Sequence, residues 1–266
     1  MKFLSSVYND ETKIKELHES FKSGKPYPHV VMDNFLNLDF ANSLESNFPS
    51  PEKLDIHYKG LNEKKSEGAD FSRFHPDFSA LKGYLMSPEF YEWTSKITGI
   101  KDVFITDDNM GMGVHSGADG SHLDIHVDFN IHPTANVHRR LNLLIYLNKD
   151  WKPEYNGSFE LWNQDVTVCE KYVEPLFNRC VIFETSEISY HGYTKKLNLP
   201  EGVRRKSVYA YFYTHEREGA ADYHDTIFKA IPTDSTSKKV GTVVKENIKN
   251  FVKRNLKKMG VKFYKI

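Results

Sequence analysis

The apolar positions of the chain change rhythm near residue 101. Upstream, Leu38 to Phe48 reads as a short helix that ends before Pro49, because a residue preceding proline is pushed out of helical backbone space. Ser87-Pro88 places a capping hydroxyl before a proline at the first helical position. That predicts a helix reaching Ile97, with Phe90 and Trp93 in the core and Leu81 and Leu85 packed beside it. Lys25 to Phe35 predicts a turn followed by a strand. Downstream, short runs of β-branched and aromatic residues are separated by turn residues, the pattern of a β-sandwich or barrel. Arg139 to Asn148 is the strongest strand, followed by a turn at Lys149-Asp150-Trp151 and a strand from Gly157 to Trp162. Lys59 to Phe71 is charged and Gly111 to Gly120 is glycine-rich; both read as mobile loops near the mouth of a site.

Composition narrows the class. At 266 residues, with 39% apolar and 14% aromatic residues, the chain is long enough for one sizeable core and too apolar for disorder. Two cysteines, Cys169 and Cys180, make neither a disulfide framework nor a zinc ribbon, which points to buried thiols and a reducing, cytoplasmic compartment. The N-terminal residues turn polar too early for a signal peptide, and no apolar run reaches membrane-spanning length.

The zero formal net charge conceals an asymmetry. Residues 235–266 hold ten of the 36 Lys/Arg and one of the 36 Asp/Glu, so a basic tail follows an acidic body. Within the tail Val244, Ile248, Phe251, Val252, Leu256 and Met259 recur at helical spacing. An amphipathic helix from Val243 to Met259 is expected, its apolar face docked on the barrel and its lysines turned to water or to the acidic body. Attachment to an anionic membrane surface or to nucleic acid is the competing reading. The chain thus divides into a single catalytic unit, 1–234, with helical support over 1–100 and a β core over about 101–215, and a C-terminal helix over 235–266.

The chemistry concentrates between His122 and Ser207. His122-Leu-Asp-Ile-His-Val-Asp128 contains two His-x-Asp pairs, and His191 follows some sixty residues later. Side chains alternate along a strand, so His and Asp two residues apart enter one cavity. Two histidines and a carboxylate on one face of Fe(II) leave positions open for a bidentate co-substrate and dioxygen. Strict alternation gives His122, Asp124, His126 and Asp128 the same phase, so spacing allows either pair. Arg205, Ser207, Tyr209 and Tyr211 share a strand face that Arg204 opposes, and a buried arginine beside a hydroxyl suits a carboxylate. Arg140, Asn142, Leu144 and Tyr146 share another.

Together, His126-Val-Asp128, the segment from Tyr146 to Trp151, Gly157 with its strand, His191-Gly192 and Arg205-Lys-Ser207 resemble the 2-oxoglutarate and iron dependent dioxygenases of the prolyl 4-hydroxylase-like superfamily, over roughly residues 25 to 215. Leu123 before the pair and Arg140 after it fit the placement in that family. The resemblance therefore implies His126, Asp128 and His191 as iron ligands, with His122 and Asp124 beside them or toward the substrate. It implies that Arg205 binds the distal carboxylate of 2-oxoglutarate, aided by Tyr146 and Ser207, with Asn142 and Leu144 lining the cavity and Tyr211 on its far wall. Asn156-Gly157 departs from the Gly-Gly frequent in the family. The implied fold is mainly β with flanking helices, around a double-stranded β-helix of the jelly-roll or cupin kind.

The implied cofactors are Fe(II), 2-oxoglutarate and O2, with ascorbate as a reductant. The implied activity is hydroxylation of an unactivated C–H bond with release of succinate and CO2. A peptidyl residue such as proline is the first substrate to test; a free amino acid, a sugar or a lipid-linked metabolite is the alternative, and a non-catalytic metal-binding barrel the third. No nucleic-acid partner is expected.

Overall fold

A computed structural model describes residues 3–258, and side chains for 3–249 and Val252. Four helices lead the chain: α1 (Glu11–Ser23), α2 (Leu38–Ser46), α3 (Pro76–Leu85) and α4 (Pro88–Thr98). Each start has a polar side chain capping the first turn, Asp10, Asn37, His75 and Ser87 respectively, which satisfies amide groups that a helix leaves without internal partners. Gly99 ends α4 at φ 74°, in the left-handed region that glycine occupies without strain. Phe90, Trp93, Leu81 and Leu85 are buried, as the upstream pattern requires.

Among the described residues, twelve strands follow or intersperse these helices. β1 (His29–Met32), β9 (Arg179–Glu184), β6 (His138–Tyr146), β11 (Arg205–Thr214) and β4 (Met112–Gly117) form one sheet in that order. β5 (His122–Val127), β10 (His191–Tyr193), β7 (Phe159–Trp162) and β8 (Cys169–Val173) form the other. β3 (Glu63–Gly68) pairs with β4 through its C-terminal half and with β5 through its N-terminal half, joining the two sheets along one side. β2 (Ile56–Lys59) extends β3, and β12 (Ile227–Phe228) adds to β5. This antiparallel, nearly closed barrel with flanking helices is the double-stranded β-helix architecture.

Alternation along the central strands builds two interiors. Val208, Ala210 and Phe212 of β11 face the helices with Leu141, Leu143 and Ile145 of β6, in one large apolar core. The opposite phase turns inward between the sheets, where Tyr146, Phe159, Val181 and Phe183 pack together.

Both segments expected as mobile loops are strands. β3 and β4 lie within Lys59–Phe71 and Gly111–Gly120, and they pair with each other. Tertiary pairing overrides the glycine and charge content here. A Cβ at Gly113 would lie 2.5 Å from the Tyr209 hydroxyl and 2.7 Å from the Gly68 carbonyl oxygen, so glycine permits close strand approach.

The C-terminal helix, α5 (Thr236–Lys258), docks through the face opposite to the expected one. Thr242 and Glu246 are buried, whereas Val240, Val243, Val244, Ile248 and Val252 are exposed, Val244 at 51% and Ile248 at 60%. Lys238 pairs with Asp124 at 2.8 Å and with Asp234 at 2.9 Å, and the Lys245 ammonium donates to the Asn62 side-chain oxygen at 3.0 Å. The cause lies in the barrel wall: Asp124 is only 3% exposed there, and a buried carboxylate without a countercharge costs several kcal/mol. The expected contributions of Phe251, Leu256 and Met259 lie outside the described side chains.

Candidate active site

The site is assembled where β5 and β10 pair. His126 and His191 are register partners, and their rings lie 4.3 Å apart. Asp128 follows β5 two residues after His126 and so projects to the same side. One donor atom from each of His126, Asp128 and His191 lies within 4.8 Å of the others, the one such group of His, Cys, Asp or Glu among the described residues. Their spacing is that of side chains converging on a shared point. His126 Nε2 is 3.7 Å from Asp128 Oδ1, and His191 Nε2 is 3.4 Å from Asp128 Oδ2.

The backbone orients both imidazoles. His126 Nδ1 donates to the Asp124 carbonyl at 2.9 Å, and His191 Nδ1 donates to the Ser189 carbonyl at 2.8 Å. These bonds leave each Nε2 as the lone-pair donor, the arrangement a metal requires. Burial, reinforced by neighbouring His191, pushes the His126 imidazolium down to about 3, so the ring is neutral near pH 7. Burial opposes ionisation of Asp128, yet the Arg139 charge and the two histidines hold its carboxyl well below the usual range. A neutral His126 imidazole and an ionised Asp128 carboxylate, with His191 Nε2 beside them, fit a divalent iron.

A β-bulge separates the two His-x-Asp pairs that alternation gave the same phase. His191 pairs with His126, whereas Tyr193 pairs with Leu123, so β5 has one extra residue against β10. The phase inverts across that residue. Leu123 therefore shares the interior with His126, and Asp124 points outward to Lys238 and to the Asn62 amide. The place expected for Asp124 beside the ligands or toward the substrate is thus corrected, as is the shared phase of the four residues.

A second bulge lies in β6. Phe212 pairs with Leu141 while Tyr213 pairs with Arg139, which leaves Arg140 as the extra residue. Arg139 consequently faces inward with Asn142, and Arg140 turns to Thr214 on the outside. The expectation that Arg140 shares the inner face with Asn142, Leu144 and Tyr146 fails at Arg140 alone; the other three line the inner cavity.

At the far end of that cavity, Arg205 is 6% exposed. Its Nε donates to the Gly157 carbonyl at 2.8 Å, and a terminal nitrogen donates to the Tyr146 hydroxyl at 3.4 Å. Its guanidinium carbon lies 4.4 Å from the Tyr193 ring centroid and 4.9 Å from that of Tyr146. Ser207 lines the same end, whereas Arg204 donates to Ser116 on the other side of the strand, as its phase requires. Burial raises the Tyr146 hydroxyl above its ordinary value, so it remains a hydrogen-bond donor. At the turn before β7, Asn156 adopts φ 60° and Gly157 φ 77°; the Asn156 amide donates to the Lys196 carbonyl, so asparagine fills a position of glycine-like backbone.

A second, wider cleft of about 370 Å3 opens from His126 and Asp128 to the surface. Tyr58, Phe129, Tyr211, Tyr223 and Phe228 supply aromatic walls, and Lys245 and Lys249 of α5 stand at its edge. Tyr211 borders both cavities and stacks on Tyr209. Several of these residues carried no signal in the sequence. Lys65 and Glu67 arrive on the unforeseen β3, Phe228 arrives on β12 with its ring 5.3 Å from His126, and Arg139 arrives through the β6 bulge. Tyr193 was within reach of alternation, two residues beyond His191.

Comparison with known proteins agrees with this geometry. Residues 112–213 match the 2OG-Fe(II) oxygenase superfamily. The prolyl 3-hydroxylase OGFOD1 of Mus musculus is 29% identical over 195 residues, which cover 71% of this chain and 33% of that protein. The Xenopus laevis protein of the same name is 26% identical over 232 residues, covering 79% and 42%. The chain therefore spans less than half the length of these curated relatives. A Pseudomonas putida prolyl-4-hydroxylase shares the fold with a TM-score of 0.52 at 17% identity, over 74% of this chain and 98% of that one. Residues 112–213, the part of the chain that carries His126, Asp128, His191 and Arg205, are thus similar to 2OG-Fe(II) oxygenases.

Proposed function

We propose that the chain hydroxylates a prolyl residue within a peptide or protein segment, consuming 2-oxoglutarate and O2 and releasing succinate and CO2. The observation that carries this reading is the meeting of two cavities at one point. The narrow cavity ending on Arg205 and the cleft open to the surface both include His126, Asp128 and Tyr211. In this reading His126, Asp128 and His191 hold Fe(II) on one face. A bound Fe(II) supplies the oxidising chemistry, coupling loss of CO2 from the 2-oxo acid to oxidation of a C–H bond.

The protein's own groups do the rest. Arg205 attracts the distal carboxylate and presents paired N–H groups to it, while Tyr146 and Ser207 offer hydroxyls beside it. Tyr193 and Phe159 close that cavity against water. In the outer cleft Tyr58, Phe129, Tyr211 and Phe228 offer aromatic faces to a pyrrolidine ring, and the open mouth leaves room for chain on either side of it. The curated relatives are prolyl 3-hydroxylases by name, which supports the same amino acid.

The test is turnover of proline-containing peptides with Fe(II), 2-oxoglutarate and O2. Succinate should form in step with the gain of one oxygen atom on a prolyl residue, read by fragmentation mass spectrometry. Coupled turnover with a free amino acid, sugar or lipid-linked metabolite, and none with any peptide, would overturn the peptidyl reading.

A further inference from the structure

The site places a buried cation directly behind one of its proposed iron ligands. Arg139 is 1% exposed and its terminal nitrogen lies 3.1 Å from Asp128 Oδ2. Its Nε and the same terminal nitrogen also donate to Asn142 Oδ1, at 2.9 and 2.7 Å. That grip turns the Asn142 amide so that its Nδ2 donates to Asp128 Oδ2 at 2.7 Å. Both donors therefore converge on one carboxylate oxygen. Among the described residues no hydrogen bond reaches Oδ1, the oxygen 3.7 Å from His126 Nε2, while Oδ2, besides these two donors, lies 3.4 Å from His191 Nε2. The guanidinium carbon lies 3.5 Å from the Tyr211 ring centroid and 4.5 Å from that of Phe129, which confines the fork to one plane.

We propose that Arg139 is a positioning residue that reserves Oδ2 and presents Asp128 to iron through Oδ1 alone, while its fixed charge favours Fe(II) over Fe(III). The proposal rests on the assignment of His126, Asp128 and His191 as the iron ligands. Occupying Oδ2 prevents bidentate chelation by Asp128, which preserves a coordination position for the co-substrate. A fixed positive charge behind the carboxylate weakens it as a donor. It also repels a trivalent ion more than a divalent one, and low local dielectric enlarges that difference. The β6 bulge is the feature that turns Arg139, instead of Arg140, toward the carboxylate.

Two substitutions separate the charge from the fork. Arg139→Met removes both; Arg139→Lys keeps a buried charge but loses the planar grip on Asn142. Fe(II) affinity and the Fe(III)/Fe(II) midpoint are measured anaerobically on the purified full chain. In Arg139→Met the preference for Fe(III) should rise at least tenfold, lowering the midpoint by about 59 mV for this one-electron couple. In Arg139→Lys the midpoint should stay within a few-fold equivalent of wild type, while Fe(II) affinity falls on the order of tenfold as the carboxylate loses its orientation. Should Arg139→Met fail to fold, Arg139→Lys decides: unchanged Fe(II) affinity overturns the proposal. Unchanged affinity and midpoint in both variants overturn the proposal alone. No Fe(II) binding by the wild-type chain overturns the ligand assignment together with it.

Discussion

At the scale of single residues, function follows from which way each side chain leaves its strand. His126, Asp128 and His191 were singled out by the family resemblance, since alternation allowed either His-x-Asp pair, whereas Arg205, Ser207 and Tyr146 also follow from alternation; the structure brings all six to one cavity system. Asp124 and Arg139 were not legible, because each depends on a bulge that appears only when two strands are paired. Asp124→Ala should leave Fe(II) binding intact and cost about 1.5–3 kcal/mol of stability, the range for a charged hydrogen-bonded group. His126→Ala should abolish Fe(II) binding. Parallel metal titration and urea denaturation check both, and loss of iron by Asp124→Ala would contradict the outward phase. For the co-substrate, Arg205→Ala should raise the 2-oxoglutarate requirement at least on the order of tenfold, the equivalent of about 1.4 kcal/mol or more. Arg204→Ala should change it little, since Arg204 faces Ser116. Titration of 2-oxoglutarate against both variants decides, and equal effects would contradict the strand phase.

At the scale of elements, α2 could be read from the proline that stops it, α4 from its Ser87-Pro88 start and the strong central strands from their composition, while β3 and the orientation of α5 could not. β3 has a charged, glycine-ended sequence and is a strand because β4 and β5 flank it. In α5 the apolar stripe predicted a docked face, but docking is decided by what the barrel offers. That surface carries buried Asp124 and the Phe228 backbone, whose N–H donates to the Glu246 carboxylate at 3.2 Å. Lys245 and Lys249 flank the Phe228 ring at 5.3 and 5.4 Å from its centroid. Through Phe228, packed on His126, the polar face of α5 supports the wall of the proposed iron site. Glu246→Ala should therefore destabilise the chain by about 1–3 kcal/mol, whereas Ile248→Asp on the exposed stripe should stay within about 0.5 kcal/mol of wild type. Denaturant midpoints of the two variants test this, and the reverse order would restore apolar docking.

At the scale of the whole molecule, two sheets joined by β3 enclose a pocket that ends on a cation and opens, past three converging donors, into a surface cleft. The central claim is that His126, Asp128 and His191 hold one Fe(II), on which tight binding of 2-oxoglutarate depends. The most direct measurement is anaerobic calorimetric titration of 2-oxoglutarate into the purified chain with and without one equivalent of Fe(II), repeated on Asp128→Ala. Tight 2-oxoglutarate binding at one per chain should require Fe(II) in the wild type and disappear in Asp128→Ala. Equal binding with and without Fe(II), or Fe(II)-dependent binding that survives Asp128→Ala, would contradict the account.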